Sequence, residues 1–133
     1  MNFELVYTSV LAPTADVLGF ADTIRRARSY IREHGITGIL VFDGERFCQY
    51  LEGERQKVLE LVAKIEADPR HHQFVVLHQA TIGPRRRFGD WHMAYALDTQ
   101  GAVLEAVANA SGSSAAALLL QRVPELEFQS STA

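Results

Sequence analysis

Tyr7 and Gln49 are polar side chains placed where the hydrophobic pattern calls for apolar ones, and they are the chain's strongest candidates for chemistry. Strand side chains alternate, so Phe47, Gln49 and Leu51 point one way while Cys48, Tyr50 and Glu52 point the other. By the same rule Tyr7 shares a side with Phe3 and Leu5. A primary amide in a core brings two donors and one acceptor, and leaving one unpaired costs about 1–3 kcal/mol, so Gln49 needs a partner. The plain reading is a phenol and an amide that satisfy each other or the backbone and fix strand register. The other is that the pair serves a site.

A second group, Asp68-Pro69-Arg70-His71-His72, crowds titratable residues between a helical and a strand-like stretch. It reads either as a solvated turn begun by Asp68, or as Arg and His at the mouth of an interhelical groove, suited to a phosphate or a pyrimidine edge. Arg85-Arg86-Arg87 reads as a solvated loop. As a phosphate patch it would suit single-stranded nucleic acid on a sheet, but the net charge of −3 and the lack of an exposed aromatic pair oppose that use. The single cysteine, Cys48, excludes an internal disulfide and a multi-cysteine zinc site and has no signature of a nucleophile. Five histidines show no HExxH spacing, so neither a catalytic residue nor a metal is expected.

The elements that must hold these groups follow from periodicity. Asn2 to Ser9 alternates as a strand; Val17, Phe20, Ala21, Ile24, Ala27 and Ile31 form a helical stripe closed by Gly35. Ile36 to Phe42 and Arg46 to Glu52 are strands joined through Asp43-Gly44-Glu45. Val58, Leu61, Val62 and Ile65 mark a second helix that stops at Asp68-Pro69. Phe74 to Leu77 is a short strand, and Trp91 to Leu97 another after the Gly83-Pro84 break. The order β-α-β-β-α-β-β predicts an α+β, ferredoxin-like sandwich with two helices on one sheet face. An apolar tail from Gly101 to Arg122 predicts two short C-terminal helices, the second with a Ser N-cap, on the sheet's free face or at a partner surface.

Read in order, Leu5-Val6-Tyr7-Thr8-Ser9, Gly35-Ile36-Thr37-Gly38, Phe47-Cys48-Gln49-Tyr50-Leu51-Glu52-Gly53, Asp68-Pro69-Arg70-His71 and Arg87-Phe88-Gly89-Asp90-Trp91-His92-Met93 resemble the successive signatures of BLUF domains. The resemblance runs from about residue 3 to residue 97. It implies a flavin ring between the two helices, perpendicular to the sheet: FAD, with FMN or riboflavin compatible because such sites grip mainly the shared ring. In that family the tyrosine matching Tyr7 gives an electron and a proton to the light-excited flavin. The glutamine matching Gln49 then changes its hydrogen bonds to the ring, which ends unreduced. The same pattern implies Ile24, Leu40 and Phe47 lining the ring, Asp68, Arg70 and His71 at its polar pyrimidine edge or ribityl side, and Trp91 and Met93 transmitting the change.

The sequence departs from this pattern at Ile31, where the family has an asparagine that holds the pyrimidine edge. An apolar residue cannot pair with the ring's N3–H or a carbonyl. Two functions follow: a blue-light photoreceptor with a weakened flavin site, or a flavin-free relic, with Ile31 filling the groove, that serves as a protein-interaction module.

At 133 residues the chain allows one fold and no attached second-messenger enzyme, so output is expected through a separate, unidentified protein. The expected divisions are 1–98 for the flavin-binding domain, 99–124 for the helical extension and 125–133 for a frayed tail. A start of Met1-Asn2-Phe3-Glu4 without a basic leader, and no apolar run of about 18 residues, point to a cytoplasmic protein engaging neither membrane nor nucleic acid. The apolar tail also suits a homo-oligomer.

Overall fold

The computed structural model describes residues 2–13, 27–89 and 92–128. Alternation gives β1 (Asn2–Leu11), which pairs antiparallel with β3 (Arg46–Gly53) so that Tyr7 faces Gln49 across the ladder. The described part of α1 is residues 27–33, and it ends as the glycine signal predicts. Gly35 is left-handed at φ +66, its N–H reaches the carbonyl of Arg32, and Ile36 N–H reaches Ile31 C=O at 2.9 Å, a Schellman closure. That closure sets Ile31 and Ile36 into the same core. β2 (Thr37–Phe42) then returns beside β3, and Gly38 is obligatory there, because an added Cβ would stand 1.9 Å from the Tyr50 carbonyl oxygen. The Asp43 carboxylate caps the hairpin, accepting the N–H groups of Glu45 and Arg46.

After α2 (Arg55–Glu66), β4 (His71–Ile82) pairs with the outer edge of β1. β5 (His92–Leu97) runs parallel to β2, and the sheet order is β4-β1-β3-β2-β5-β6, the sixth strand being Glu127–Phe128. The first four positions reproduce the ferredoxin-like order, with helices on one face, as the pattern predicts. The tail helices α3 (Ala102–Ala108) and α4 (Ser113–Arg122) cover the other face, their Val103, Leu104, Val107, Ala115, Ala116 and Leu119 packing on Val6, Ile39, Val41, Cys48 and Tyr50. Hydrophobic burial of both faces accounts for the placement, since a two-faced apolar sheet left half open would expose that second core.

Four expectations are corrected. β4 is 12 residues long rather than a short Phe74–Leu77 strand, because bulges opposite Val6/Tyr7 and Thr8/Val10 let it follow β1 despite broken alternation. The N-cap of α4 is Gly112, with no side-chain cap from a serine. Residues 125–133 are not frayed throughout: Leu126 is buried and Glu127–Phe128 pair with Leu97 and Ala96, because the apolar Leu126 has a core to enter. Nor is the Arg85–Arg87 loop merely solvated: Arg86 is partly buried, and Arg87, although its side chain is 43% exposed, pairs with the buried Glu4. Among the described residues no helix is long and apolar enough to cross a membrane.

On the α3/α4 side lies a polar network absent from the sequence reading. Glu4 and Glu52 are buried and opposite one another in the β1–β3 register. The Tyr50 hydroxyl stands 2.7 Å from Glu4 Oε1 and 3.2 Å from Glu52 Oε1. Glu4 also accepts from Arg87 Nε at 2.9 Å and lies 2.7 Å from His78 Nε2, while Arg86 donates to Gly35 O, Thr37 Oγ1 and Asn2 Oδ1. Burial acts to raise the Glu4 carboxyl, but the bonds from Tyr50, His78 and Arg87 outweigh it and hold the group below its ordinary value of 4.5. A carboxylate lowered on folding binds protons more readily in the unfolded chain, so its stabilisation is full above about pH 4.5 and is lost as pH falls through the folded value. Thermal melting should therefore fall on acidification below that point, and Glu4→Gln should flatten this limb; an identical acid limb in the variant would exclude Glu4 as its source.

Candidate functional site

Between α1 and α2, over the centre of the sheet, lies a narrow cleft of about 50 Å³. Each element supplies part of it: Tyr7, Leu40 and Gln49 from β1, β2 and β3 make the floor, Ala27 and Ile31 of α1 one wall, Leu61 and Ile65 of α2 the other. Asp68 and His71, at the turn from α2 into β4, close one end, and Met93 of β5 lies beside the floor. Apolar walls with a few placed polar groups are the make-up of a small-molecule site.

The polar floor is a chain of three side chains. Tyr7 hydroxyl donates to Gln49 Oε1 at 2.5 Å, and Gln49 Nε2 donates to the Met93 sulfur at 3.1 Å. Among the described residues the second N–H of this buried amide has no acceptor, so it is available to a group in the cleft. Burial raises the Tyr7 phenol far above its usual value, with the nearby Cys48 and Asp68 adding to the effect, so the hydroxyl keeps its hydrogen. Its ring stacks on Phe74, centroids 4.6 Å apart, which fixes where the hydroxyl points. Cys48, on the opposite sheet face, is buried with its thiol pushed up to about 12 and takes no part.

Met93 reaches Gln49 because β5 enters the sheet through a bulge. The register with β2 passes from Gly38↔His92 to Ile39↔Ala94, leaving Met93 as the extra residue at φ +74, a left-handed conformation uncommon for a side chain of this kind. His71 is also fixed: its Nε2 lies 2.5 Å from the Ile65 carbonyl, which can only accept, and its Nδ1 lies 2.8 Å from Ser9 Oγ. In the neutral ring Nε2 therefore carries the hydrogen and Nδ1 accepts from Ser9. Asp68 Oδ1 accepts the Arg70 N–H at 2.9 Å, the turn that the sequence suggested.

The structure thus gathers Tyr7, Gln49, Ile31, Leu40, Asp68, His71 and Met93 around one cleft. Phe47 is buried but stacks on Phe42, centroids 4.4 Å apart, and is not a lining residue. The Arg70 side chain is 43% exposed and only 3.7 Å from Asp68 Oδ2, outside the lining as placed. Ile24 and Trp91 lie outside the described residues. Ala27, Leu61 and Ile65, read from sequence only as helix stripe, are lining residues; their apolar spacing was the available signal. The Ser9 and Ile65 partners of His71 had no such signal.

These residues fit a flavin. Two aliphatic walls suit a flat ring, and an open amide N–H suits a carbonyl or ring-nitrogen acceptor. The misfit is Ile31, 2% exposed on the α1 wall, which offers a polar ring edge nothing. Among the described residues no group of three or more His, Cys, Asp or Glu is arranged to hold a metal ion.

Comparison with known proteins agrees with this cleft. The chain is 41% identical over 75 residues to photoactivated adenylate cyclase subunit beta of Euglena gracilis, covering 55% of this chain and 8% of that protein. It is 34% identical over 89 residues to the blue light- and temperature-regulated antirepressor BluF of Escherichia coli (strain K12), covering 67% of this chain and 22% of that protein. It therefore spans only a small part of the length of the curated relatives it matches. Among solved structures, BlsA in its photo-activated state superposes with TM-score 0.82 at 25% identity, covering 98% of this chain and 99% of that one. BlrB, described as a BLUF protein in its dark state, superposes with TM-score 0.78 at 30% identity, covering 92% and 94%. The family of BLUF, sensors of blue-light using FAD, has a profile that matches residues 3–94, and with a Tyr–Gln pair under the interhelical cleft this chain belongs to that family.

Proposed function

We propose that this chain is a blue-light photoreceptor that holds a flavin between α1 and α2 and signals through a light-driven exchange of hydrogen bonds at Tyr7 and Gln49. The observation that carries the reading is the 2.5 Å bond from a buried phenol to an amide whose remaining N–H has no acceptor among the described residues. Flavin would supply light absorption and, once excited, a strong acceptor for an electron and a proton.

The residues do the rest. Tyr7 is a neutral phenol held by Phe74 with its hydrogen on Gln49, ready to lend an electron and proton and to take both back. Gln49 is both donor and acceptor, so rotation or tautomerisation reverses which group it offers to the ring and to Tyr7. Leaving Met93 as a partner is then the first step of transmission, because Met93 sits at the entry of β5. β5 lies between β2 and β6, and it ends two residues before the turn into α3. The altered contact would bias a two-state surface and so reach a separate output protein. FAD is the flavin the family description names; FMN and riboflavin share the ring that the cleft would grip.

A second reading rests on Ile31, whose side chain stands on the wall where a polar ring edge would need a partner: the domain is then a flavin-free interaction module. An absorption spectrum of the purified protein before and after blue light decides between them. A flavin band with a small, reversible red shift is expected. Colourless protein that refuses added flavin would leave only the module.

A further inference from the structure

We propose that Glu52 is a positioning residue of the photocycle: it holds the β4–β5 crossover by its backbone and so sets Met93 against Gln49. This rests on the sensor reading above. β4 and β5 lie four strand spacings apart in the sheet, about 19 Å, and residues 83–91 must cover that with a reach of about 30 Å at full extension. Where the crossover is pinned therefore decides where β5 begins.

The pin is a single carboxylate. Arg87 N–H donates to Glu52 Oε1 at 2.8 Å and Phe88 N–H to Oε2 at 2.8 Å, so the two oxygens straddle consecutive backbone groups. Thr37 hydroxyl adds a third donor on Oε2 at 2.8 Å, and Tyr50 hydroxyl stands 3.2 Å from Oε1. Glu52 is 0% exposed, so every donor it holds is a protein group, and Phe88 is seated beneath it with its ring 5.0 Å from Tyr50. Five residues on is Met93, the strained bulge residue that accepts from Gln49.

Both Glu52 oxygens must accept, which fixes the test. In Glu52→Gln one oxygen becomes an NH₂ that meets donors on either rotamer, and the crossover is released. Glu4→Gln is the control: its oxygen can keep Tyr50 and Arg87 while its NH₂ faces the His78 ring nitrogen, which accepts in the other tautomer.

Trypsin reads release directly, since Arg85, Arg86 and Arg87 lie in the crossover and Lys57 and Lys64 in α2 serve as internal reference. Selective cleavage at 85–87 should rise about tenfold in Glu52→Gln, equivalent to about 1.4 kcal/mol of opening, and change less than about twofold in Glu4→Gln. With flavin content unchanged, return of the red-shifted form to the dark form should slow about threefold in Glu52→Gln only, because the dark partner of the amide has moved. No selective gain, or equal gains in both variants, overturns the pin. A gain with unchanged dark return leaves a purely structural anchor and overturns the positioning role. If Glu52→Gln is cut throughout the chain, Thr37→Val replaces it, and absence of selective cleavage there overturns the proposal. If wild type binds no flavin, the sensor reading fails while the tryptic comparison still decides the pin.

Discussion

Gln49→Leu should keep the yellow chromophore and lose the light-induced red shift completely. Leucine preserves most of the side-chain volume on the cleft floor, and the walls from Ala27, Ile31, Leu61 and Ile65 are untouched, so burial of the ring is retained. What disappears is the one amide among the described residues of the floor, whose separate donor and acceptor groups can exchange places. Tyr7 loses its acceptor, and the unpaired buried phenol should cost about 1–3 kcal/mol of folding stability, visible as a lower melting temperature of the variant. Excitation of the flavin is a property of the ring and persists; the rearranged hydrogen bonds that mark the signalling form have no group to make them. The measurement is a difference spectrum under blue light at matched flavin content. An unchanged photocycle in this variant would remove Gln49 from the switch, whatever the chromophore does.

Ile31→Asn should tighten flavin retention about ten- to hundredfold, the equivalent of satisfying a buried polar group worth about 1–3 kcal/mol. Ile31 is held by the Schellman closure at the end of α1, and its side chain is already on the cleft wall, so an amide built there projects into the same space. The substitution should also act in the opposite sense on the empty protein. There the amide replaces an aliphatic group within the core that includes Leu5, Leu40 and Leu61, and finds no partner, so the apoprotein should melt lower. Opposite effects on apo and flavin-loaded stability are the signature to seek, using dilution and fluorescence of released flavin for affinity and thermal melting for both forms. Equal retention by wild type and variant would mean that the missing amide does not limit binding.

Much of the site was legible because strands obey a period of two. Once Asn2 to Ser9 and Arg46 to Glu52 are strands, Tyr7 and Gln49 must face the same core, and the antiparallel register places them directly opposite. Helix periodicity likewise put Ala27, Ile31, Leu61 and Ile65 on inward stripes, although it could not say that these stripes stop short of each other. The apolar tail was legible as two helices, and its site of burial followed from the need to cover the sheet's second face.

Other features have no local signal. The bulge that turns Met93 toward Gln49 is a mismatch between β5 and β2, strands far apart in sequence, and the length of β4 depends on bulges that let it follow β1. Arg86 and Arg87 look like solvated charges in the sequence, yet their partners are Glu4, Thr37, Asn2 and the Gly35 carbonyl, from the far half of the chain. Glu52 was placed on the correct face by alternation, but its burial depends on the crossover lying over it.

The sequence by itself determined the elements, their faces and the meeting of a phenol with an amide, since those depend on periodicities of a few residues. Only the tertiary structure decided which charges are buried, where β5 starts and that a cleft remains beside Ile31. Each of these is a competition among groups brought together from distant segments, and no short window of residues contains both competitors.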